Sequence, residues 1–316
     1  SVMNIRLYFA ETPKDWLTTD AVTLVFNQLF TKLQQTYKDY NITKKCSNIH
    51  SYENGITHNH FPNRKFGFYQ CIVENIDNGK YTLINYFDTI TSLHENNGWD
   101  LHNLVDTITT PGTHLNNMTY EDSYIKYKPA SYIYHSTGQT DRLVNAESKP
   151  KTIQHLQFRG KTYLFRQYLE NDSRFDIITT NDGVSGIGNE EFLDEVASQR
   201  ISLCLNGTAE ITYRDIESFA LHTPVLRPIL NCKFLNPLKP DYHYIGVDLT
   251  DIKYKWGLDY YRYKADKIYE RYQEVKDDND YLDFVSRNAR KWFLNNGTVE
   301  ANTEILHSQL DLKKLL

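Results

Sequence analysis

Apolar and polar positions change from one period to another near the start of the chain. Residues 3–10, MNIRLYFA, alternate apolar Ile5, Leu7 and Phe9 with more polar neighbours, which is the period-two pattern of a β-strand. A Thr-Thr-Asp sequence then precedes apolar residues at every third or fourth position as far as Leu33. That spacing predicts an amphipathic helix, and Thr-Thr-Asp is typical of a helix N-cap. A strand followed directly by a helix indicates an α/β unit.

The rest of the N-terminal half carries weaker signals. Residues 81–88, YTLINYFD, are rich in β-formers and end on Asp88, which predicts a strand. Residues 98–106, GWDLHNLVD, show helical spacing. The polar stretch 136–151, STGQTDRLVNAESKPK, has no periodicity and is typical of a linker. We therefore expect one α/β domain with long loops over residues 1–145.

A more regular alternation follows the predicted linker. Strand patterns occur at residues 152–158, 175–180, 200–206, 224–230 and 243–247. Helix patterns occur at residues 162–171, 190–199 and 213–222, and again over most of the chain from Lys255 onward. Strands separated by helices indicate parallel βαβ units. The sequence thus predicts an α/β fold, with a Rossmann-like domain over 146–255 and a helical segment over 256–316 that packs on or across both domains.

Length and composition fit this division. With 316 residues, the chain is long for one core and sufficient for two. It is 40% hydrophobic and 24% charged, as soluble globular proteins are. Its net charge of −5 argues against a mainly electrostatic nucleic-acid binder, although a local basic patch stays compatible with it. The four cysteines are far apart and indicate neither a zinc site nor disulfides, so a cytoplasmic or otherwise reducing compartment is expected. No apolar run approaches the roughly 18 residues of a membrane span.

The segment after the predicted strand 200–206 has the placement of a ligand site. In parallel α/β sheets, ligands bind at the carboxyl ends of the strands, where loops lead into helix N-termini. The N–H groups at the start of helix 213–222 favour a diphosphate, and Arg214 adds a bidentate cation. Glu217 lies one turn further along the same face, where it is placed to accept hydrogen bonds from ribose hydroxyls. An alternative of equal weight is a solvated helix start whose acids complement the helix dipole.

The same segment resembles a motif of the GT-B glycosyltransferases. After a glutamate, FALHTPVLRP is similar to their segment Glu-Ala-x-Ala-x-Gly-x-Pro-Val, in which the glutamate contacts the nucleotide ribose. Glu217 holds the glutamate position and Ala220 the second alanine, while Pro224 and Val225 hold the last two positions. His222 stands where those enzymes have glycine.

Two further stretches narrow the resemblance to the protein O-glucosyltransferase family, also described as capsule-associated and KDEL-motif-containing. Residues 157–166, QFRGKTYLFR, resemble its Phe-Arg-Gly segment with a second arginine. Residues 235–252, LNPLKPDYHYIGVDLTDI, resemble its Leu-Lys-Pro, His-Tyr-Ile-x-Val and Asp-Leu run. Residues 207–214 resemble its glycine-rich turn to a phosphate-binding arginine, and residues 288–296 its closing helix. The resemblance covers residues 155–316.

This resemblance implies a GT-B-like fold, in which two Rossmann-like domains face a central cleft and the C-terminal one holds the donor. It implies an inverting, metal-independent transferase that uses a nucleotide sugar, usually a UDP-sugar, as co-substrate and no other cofactor. Negative charge develops on the departing diphosphate, and preorganised arginines stabilise that charge. The donor-binding residues it implies are Arg159, Gly160, Arg166, Gly207, Thr208, Arg214 and Glu217.

An inverting transfer also needs a base on the acceptor side of the cleft. Asp88, at the end of a predicted strand, is the first candidate and Asp100 the second, while a turn or cap role is the alternative interpretation of Asp88. A glycan or protein acceptor is expected, and a hydroxyl of a modified nucleobase is also compatible. The alternative function is a catalytically inactive module that binds glycans or nucleic acid on the same fold.

Three other motifs are compatible with a metal or phosphate site, but a structural role is favoured for each. His58 and His60 lie two positions apart without a carboxylate pattern, so a solvated or stacking role is favoured over a metal site. Asp278 and Asp280 lie between two predicted helices, where acids are typical helix caps. The glycine-rich loop 182–188 does not follow the dinucleotide fingerprint, and we interpret it as a flexible cleft loop with a secondary chance of contacting the donor.

Overall fold

One mixed sheet forms the N-terminal half of the protein. The computed structural model describes residues 2–11, 20–48, 56–57, 65–66, 70–86, 103–110, 127–129, 137–180, 186–207, 210–232, 234–251 and 256–316. The strands of this half are β1 (Asn4–Glu11), β2 (Asn41–Asn48), β3 (Ile56–Thr57), β4 (Lys65–Phe66), β5 (Gln70–Asn75), β6 (Tyr81–Asn85), β7 (Leu104–Thr109) and β8 (Tyr127–Pro129). The sheet order is β2-β1-β5-β6-β7-β8, and β3 pairs with β4 in a separate antiparallel ribbon. Strand β5 runs antiparallel to β1 and β6 and the other pairs are parallel, so five strands end along one edge.

Helix α1 (Asp20–Thr36) covers one face of this sheet. The alternation predicted for β1 is confirmed, because Ile5, Leu7 and Phe9 have no exposed surface. The helix contributes its own apolar stripe to the same core through Ala21, Val22, Val25, Phe26, Leu29 and Leu33. The period-two strand and the period-3.6 helix therefore meet face to face, as their spacing requires.

Strand β7 replaces a predicted helix. Residues 98–106 were expected to be helical, yet residues 104–106 belong to this strand. Its register with β6 aligns Ile108 with Ile84, and both side chains are fully buried in the main core. Cross-strand packing thus overrides the local spacing in this segment.

A helix also occupies part of the predicted linker. Helix α2 (Thr137–Val144) lies within residues 136–151. Its Leu143 is fully buried in the main core, and the guanidinium of Arg290 donates to the carbonyls of Leu143 and Val144 at its C-terminal end. Tertiary contacts therefore stabilise a helix whose own sequence shows no period.

The predicted parallel βαβ units are present in the C-terminal half, which confirms the α/β class. Its strands are β9 (Gln157–Gly160), β10 (Asp176–Thr179), β11 (Ser202–Leu203), β12 (Val225–Pro228) and β13 (Ile245–Val247). The intervening helices are α3 (Phe165–Leu169), α4 (Asn189–Ser198) and α5 (Tyr213–Ala220). Strand β9 pairs with β10, and β12 lies between β11 and β13, with every pair parallel. The carboxyl ends of these strands lead into the candidate site.

Three helices and a 3₁₀ turn close the chain: α6 (Gly257–Val275), α7 (Asn279–Asn296), α8 (Val299–Gln309) and Leu312–Leu315. Helix α6 packs on β12 and β13, α7 packs on α5, and α8 packs on α1, so this segment contacts both halves. Asp278 accepts a hydrogen bond from the Tyr281 amide at 3.0 Å and caps α7, which confirms its predicted role. None of the described helices is long and apolar enough to cross a membrane. The domain boundaries at 145 and 255 stay predictions.

Candidate anion-binding site

The start of helix α5 is fixed by a buried carboxylate. One oxygen of Asp215 accepts the backbone N–H of the N-cap residue Thr212 at 2.9 Å and its hydroxyl at 3.0 Å, so Asp215 is the N3 residue of a capping box. Nη1 of Arg227 donates to both oxygens of the same carboxylate at 2.7 Å. Asp215 has no exposed surface and Glu217 is 7% exposed. The helix start is therefore buried rather than solvated, while its first-turn acid, Asp215, does complement the helix N-terminus as the alternative interpretation expected.

Arg227 was missed by the sequence analysis, although a signal for it exists. It is a single charged residue within the apolar run 224–230 and lies on β12 with no exposed surface. Its Nη2 donates to the side-chain oxygen of Asn206 at 2.9 Å and to the carbonyl of Glu210 at 2.7 Å. With its charge matched by Asp215, Arg227 joins the strand, the loop after β11 and the helix start. We therefore assign it to the framework of the site.

Arg214 lies two positions after the N-cap residue Thr212, and its side chain contacts the ring of Phe158 and the backbone of Arg159. Its guanidinium carbon lies 4.0 Å from the centre of the Phe158 ring, and the group donates to the carbonyl of Arg159. Gly160 leaves room for the ring on which Arg214 stacks, because a Cβ there would lie only 3.1 Å from the Phe158 ring. Nε of Arg214 is buried, and no described residue accepts a hydrogen bond from it. Burial lowers the pKa of this guanidinium.

Arg166, on the short helix α3, reaches the same ring. Its guanidinium carbon lies 4.8 Å from the centre of Phe158, and it donates to the carbonyls of Lys161 at 3.1 Å and Leu205 at 2.9 Å. Its Nε is also buried and has no acceptor among the described residues. A Cβ at Gly207 would lie 3.4 Å from Arg166 Nη2, so the backbone after β11 passes close to this cation. Burial lowers the pKa of Arg166 as well.

A third cation comes from the C-terminal helices. Lys264 on α6 is 8% exposed, and its Nζ lies 4.4 Å from the centre of the Phe165 ring. Burial, together with the positive charges of Arg227 and Arg166, lowers the pKa of its ammonium to about 8. A lysine at an apolar-face position of a helix was the signal for it in the sequence, since Ile268 follows at four residues.

Glu217 is the acidic member of the group. It is one helical turn beyond Arg214, and no described residue forms a hydrogen bond with its carboxyl group. Burial raises the pKa of this carboxyl to about 8, and the nearby charge of Arg214 opposes the rise. Glu217 is thus a buried carboxyl that forms no hydrogen bond with the described residues and can form one with a ligand.

Arg159 faces away from these cations. Successive side chains of β9 alternate, so Arg159 and Gln157 turn to one side while Phe158 turns to the other. Nε of Arg159 donates to Glu195 at 2.7 Å and Nη2 donates to the other oxygen of that carboxylate at 3.2 Å. Its backbone carbonyl, by contrast, holds Arg214. A direct contact of the Arg159 side chain with a donor stays a prediction.

Several predicted residues lie outside the described part of the chain: the base candidates Asp88 and Asp100, the loop residue Thr208, the histidines His58 and His60, and residues 182–185 of the glycine-rich loop. Within the described residues, no three His, Cys, Asp or Glu side chains come together as a metal site.

The site therefore gathers positive charge with open hydrogen-bonding capacity at the carboxyl end of β11. Within the described ranges, Arg166, Arg214 and Lys264 form no ion pair with a carboxylate. Like charges held together in a buried setting are unfavourable unless an anion lies between them. The N-terminus of α5, an eight-residue helix, adds its dipole to the same region. This arrangement is suited to an anionic group with an adjacent hydroxyl for Glu217.

Comparison with known proteins adds little to this picture. No protein-family model and no curated protein matches the chain. Among solved structures, it is similar to a mutant of S. aureus TarM in complex with fondaparinux, α-GlcNAc-glycerol and UDP, at a TM-score of 0.36 and 9% identity. The match covers 76% of this chain and 64% of the TarM chain, which is less than two thirds of that protein. A likeness at this level assigns neither a family nor an activity. The GT-B-like arrangement and the O-glucosyltransferase resemblance stay predictions.

Proposed function

We propose that the protein is a glycosyltransferase of GT-B-like organisation that binds a nucleotide-sugar donor, a UDP-sugar first of all, at this site. Transfer is inverting and metal-independent, and the acceptor is a hydroxyl of a glycan, a protein or a modified nucleobase. Two buried guanidinium groups support this most directly: Arg166 and Arg214 each hold an Nε–H without a described acceptor beside the carboxyl end of β11. Unpaired buried donors are rare in folded proteins, and here both belong to cations.

Sugar transfer requires groups that stabilise negative charge, and these two guanidinium groups are suited to that role. When the bond between sugar and phosphate breaks, negative charge grows on the departing diphosphate. Cations fixed by stacking on Phe158 need no reorganisation at that moment, and the N-terminus of α5 favours the same charge. Glu217, one turn away from Arg214, hydrogen-bonds to a ribose hydroxyl of the nucleotide. A single ligand with a ribose and a diphosphate thus fills both the cationic and the acidic part of the site.

The acceptor side supplies the base. Asp88 remains our first candidate, because it follows strand β6 of the N-terminal sheet by three residues, and Asp100 remains the second. In this proposal the base removes the proton of the acceptor hydroxyl as that oxygen attacks the anomeric carbon. Asp88→Asn is then expected to bind donor as the wild type does and to transfer sugar at a rate at least about a hundredfold lower.

A thermal-shift and calorimetry panel tests the donor site. UDP or a UDP-sugar at about 100 times its Kd is expected to stabilise the wild type by roughly 2.7 kcal/mol. Arg214→Gln and Arg166→Gln should each weaken that binding by about tenfold or more, because each removes a charged hydrogen-bond donor. Arg287→Gln, at an exposed arginine of α7, is the matched control and should bind like the wild type.

Two results would count against the proposal. If no nucleotide or nucleotide sugar stabilises the wild type, the donor site is refuted. If UDP binds but neither hydrolysis nor transfer occurs with any acceptor class, the inactive binding module becomes the better reading of the same fold.

A further inference from the structure

Lys264 is buried where a helix would ordinarily place an apolar residue. It lies four residues before Ile268 and beside Ala265, and both of these neighbours have no exposed surface. Lysine is almost never this buried unless it is paired. No described carboxylate pairs with its ammonium, and the groups that face it are the Phe165 and Tyr260 rings, at 4.4 and 5.9 Å from Nζ.

The surroundings of this lysine are positive. Arg166 and Arg227 both act on its charge, and both disfavour the protonated form. The charge of Arg227 is matched by Asp215, but Arg166 has no carboxylate partner among the described residues. Attraction to the face of Phe165 offsets part of the cost of burying the ammonium. No described carboxylate offsets the rest of that cost, whereas an anion beside Arg166 would do so.

The lysine also approaches the site from a separate part of the chain. Arg166 lies on α3 and Arg214 on α5, while Lys264 lies on α6, which packs on α3 and on β12. Phe165, whose ring lies under Nζ, is the residue next to Arg166. The three cations therefore approach one region from three helices.

We propose that Lys264 is a third anion-binding residue of the site and contacts the diphosphate of the donor together with Arg166 and Arg214. This inference rests on the proposed donor site, and it makes the C-terminal helix α6 a part of that site. It also has a consequence for the unliganded protein: a buried, unpaired cation lowers stability, so replacing it by an apolar side chain of similar length should not destabilise the fold.

Calorimetry with inorganic pyrophosphate and with UDP, at pH 7, tests the role of Lys264 separately from the proposed nucleotide-sugar function. Lys264→Met is expected to weaken both ligands by about tenfold or more, because a charged contact to a phosphate is lost. The urea midpoint of the unliganded variant should equal or exceed that of the wild type. Lys267→Met is the control: Lys267 lies on the same helix with 37% of its side chain exposed, 3.8 Å from Glu270, and this variant should bind both ligands like the wild type.

The outcomes are distinguishable. The inference is overturned if pyrophosphate binds the wild type and Lys264→Met equally, or if it does not bind the wild type. In either case, binding of UDP to the wild type would still support the proposed function. If pyrophosphate binding needs Lys264 but UDP and UDP-sugars do not bind, Lys264 is confirmed as an anion-binding residue, whereas its contact with a donor diphosphate and the nucleotide-sugar function both fail. A Lys264→Met variant that is less stable than the wild type without ligand would show a packing role and overturn the inference.

Discussion

Arg227 on β12 and Asp215 on α5 form an ion pair in which one guanidinium nitrogen lies 2.7 Å from both carboxylate oxygens, and neither side chain has exposed surface. Because Asp215 also accepts the amide and hydroxyl of Thr212, the pair holds the first turn of α5 against the strand. Arg214 and Glu217 extend from this helix. The pair therefore fixes the helix that carries two of the groups that we assign to donor binding.

Removing one partner of this pair should be costly. Asp215→Asn leaves the guanidinium of Arg227 buried without a counter-charge, and we expect a loss of about 3–5 kcal/mol in the free energy of unfolding. Urea denaturation measures it. The double variant Asp215→Leu with Arg227→Met should lose less than Asp215→Asn, since no buried charge is left. Asp283→Asn, at an exposed position of α7, is the control with little change. A loss below about 1 kcal/mol for Asp215→Asn would contradict the framework role.

His222, at the position where the GT-B segment has glycine, adopts a left-handed backbone conformation. Its φ is 57°, in the left-handed region, and its Nε2 lies 2.8 Å from the carbonyl oxygen of Ala146. A non-glycine residue in that region costs about 1 kcal/mol, and the hydrogen bond returns a similar amount. We expect His222→Gly to be more stable than His222→Ala by about 1 kcal/mol, because both lose the hydrogen bond but glycine also loses the strain. Thermal or urea unfolding of the two variants, ranked against the wild type, checks this; equal stabilities would show that φ is not strained.

Local spacing was enough to predict some of this structure and not the rest. The alternation of Ile5, Leu7 and Phe9 and the three-residue step from Arg214 to Glu217 both follow from the geometry of one element, so the sequence shows them directly. In our proposal Lys264 joins a site whose other cations lie 50 residues (Arg214) and 98 residues (Arg166) earlier in the chain, and no local period indicates which strand a helix will cover. The predicted helix at 98–106 was wrong for the same reason over residues 104–106, the part of it that belongs to a described strand. Pairing with the neighbouring strand β6 stabilises the strand conformation there over the helix that the local spacing predicts.

Arg290 joins two helix ends that lie far apart in the sequence. Its Nη1 donates to the carbonyls of Leu143 at 2.6 Å and Ala220 at 2.7 Å, and its Nη2 donates to that of Val144. The C-termini of α2 and α5 thereby receive a cation where the helix dipole favours one.

Replacement of this arginine should weaken both helix ends. Arg290→Met leaves three carbonyls without their donor, and we expect a loss of about 2–4 kcal/mol in urea unfolding. Arg290→Lys should lie between that variant and the wild type, because an ammonium is a point donor and cannot reproduce the planar fork. Arg287→Met, three residues earlier on the exposed side of α7, should unfold like the wild type. If Arg290→Met and Arg287→Met have the same free energy of unfolding, other groups satisfy the three carbonyls, and the hydrogen bonds of Arg290 do not stabilise the protein.

The buried carboxyl of Glu217 makes a prediction about pH. Its pKa rises from 4.5 to about 8 on folding, chiefly because burial disfavours the charged form. Below pH 4.5 the group is neutral in both states. As pH increases to about 8 the unfolded chain loses this proton while the folded protein keeps it, so the free energy of unfolding of the wild type falls across that window.

Glutamine does not titrate, so Glu217→Gln removes this dependence. The variant should match the wild type within about 1 kcal/mol at pH 5 and exceed it by roughly 3 kcal/mol at pH 8, in urea unfolding without ligand. Glu300→Gln, at an exposed glutamate of α8, should follow the wild-type profile at both values. Glu217→Leu, which keeps no hydrogen-bonding atom in its side chain, should bind UDP less tightly, while its affinity for pyrophosphate, which has no ribose, should be unchanged. A variant that loses pyrophosphate and UDP alike would place Glu217 beside the phosphates, and one that loses neither would remove it from the site.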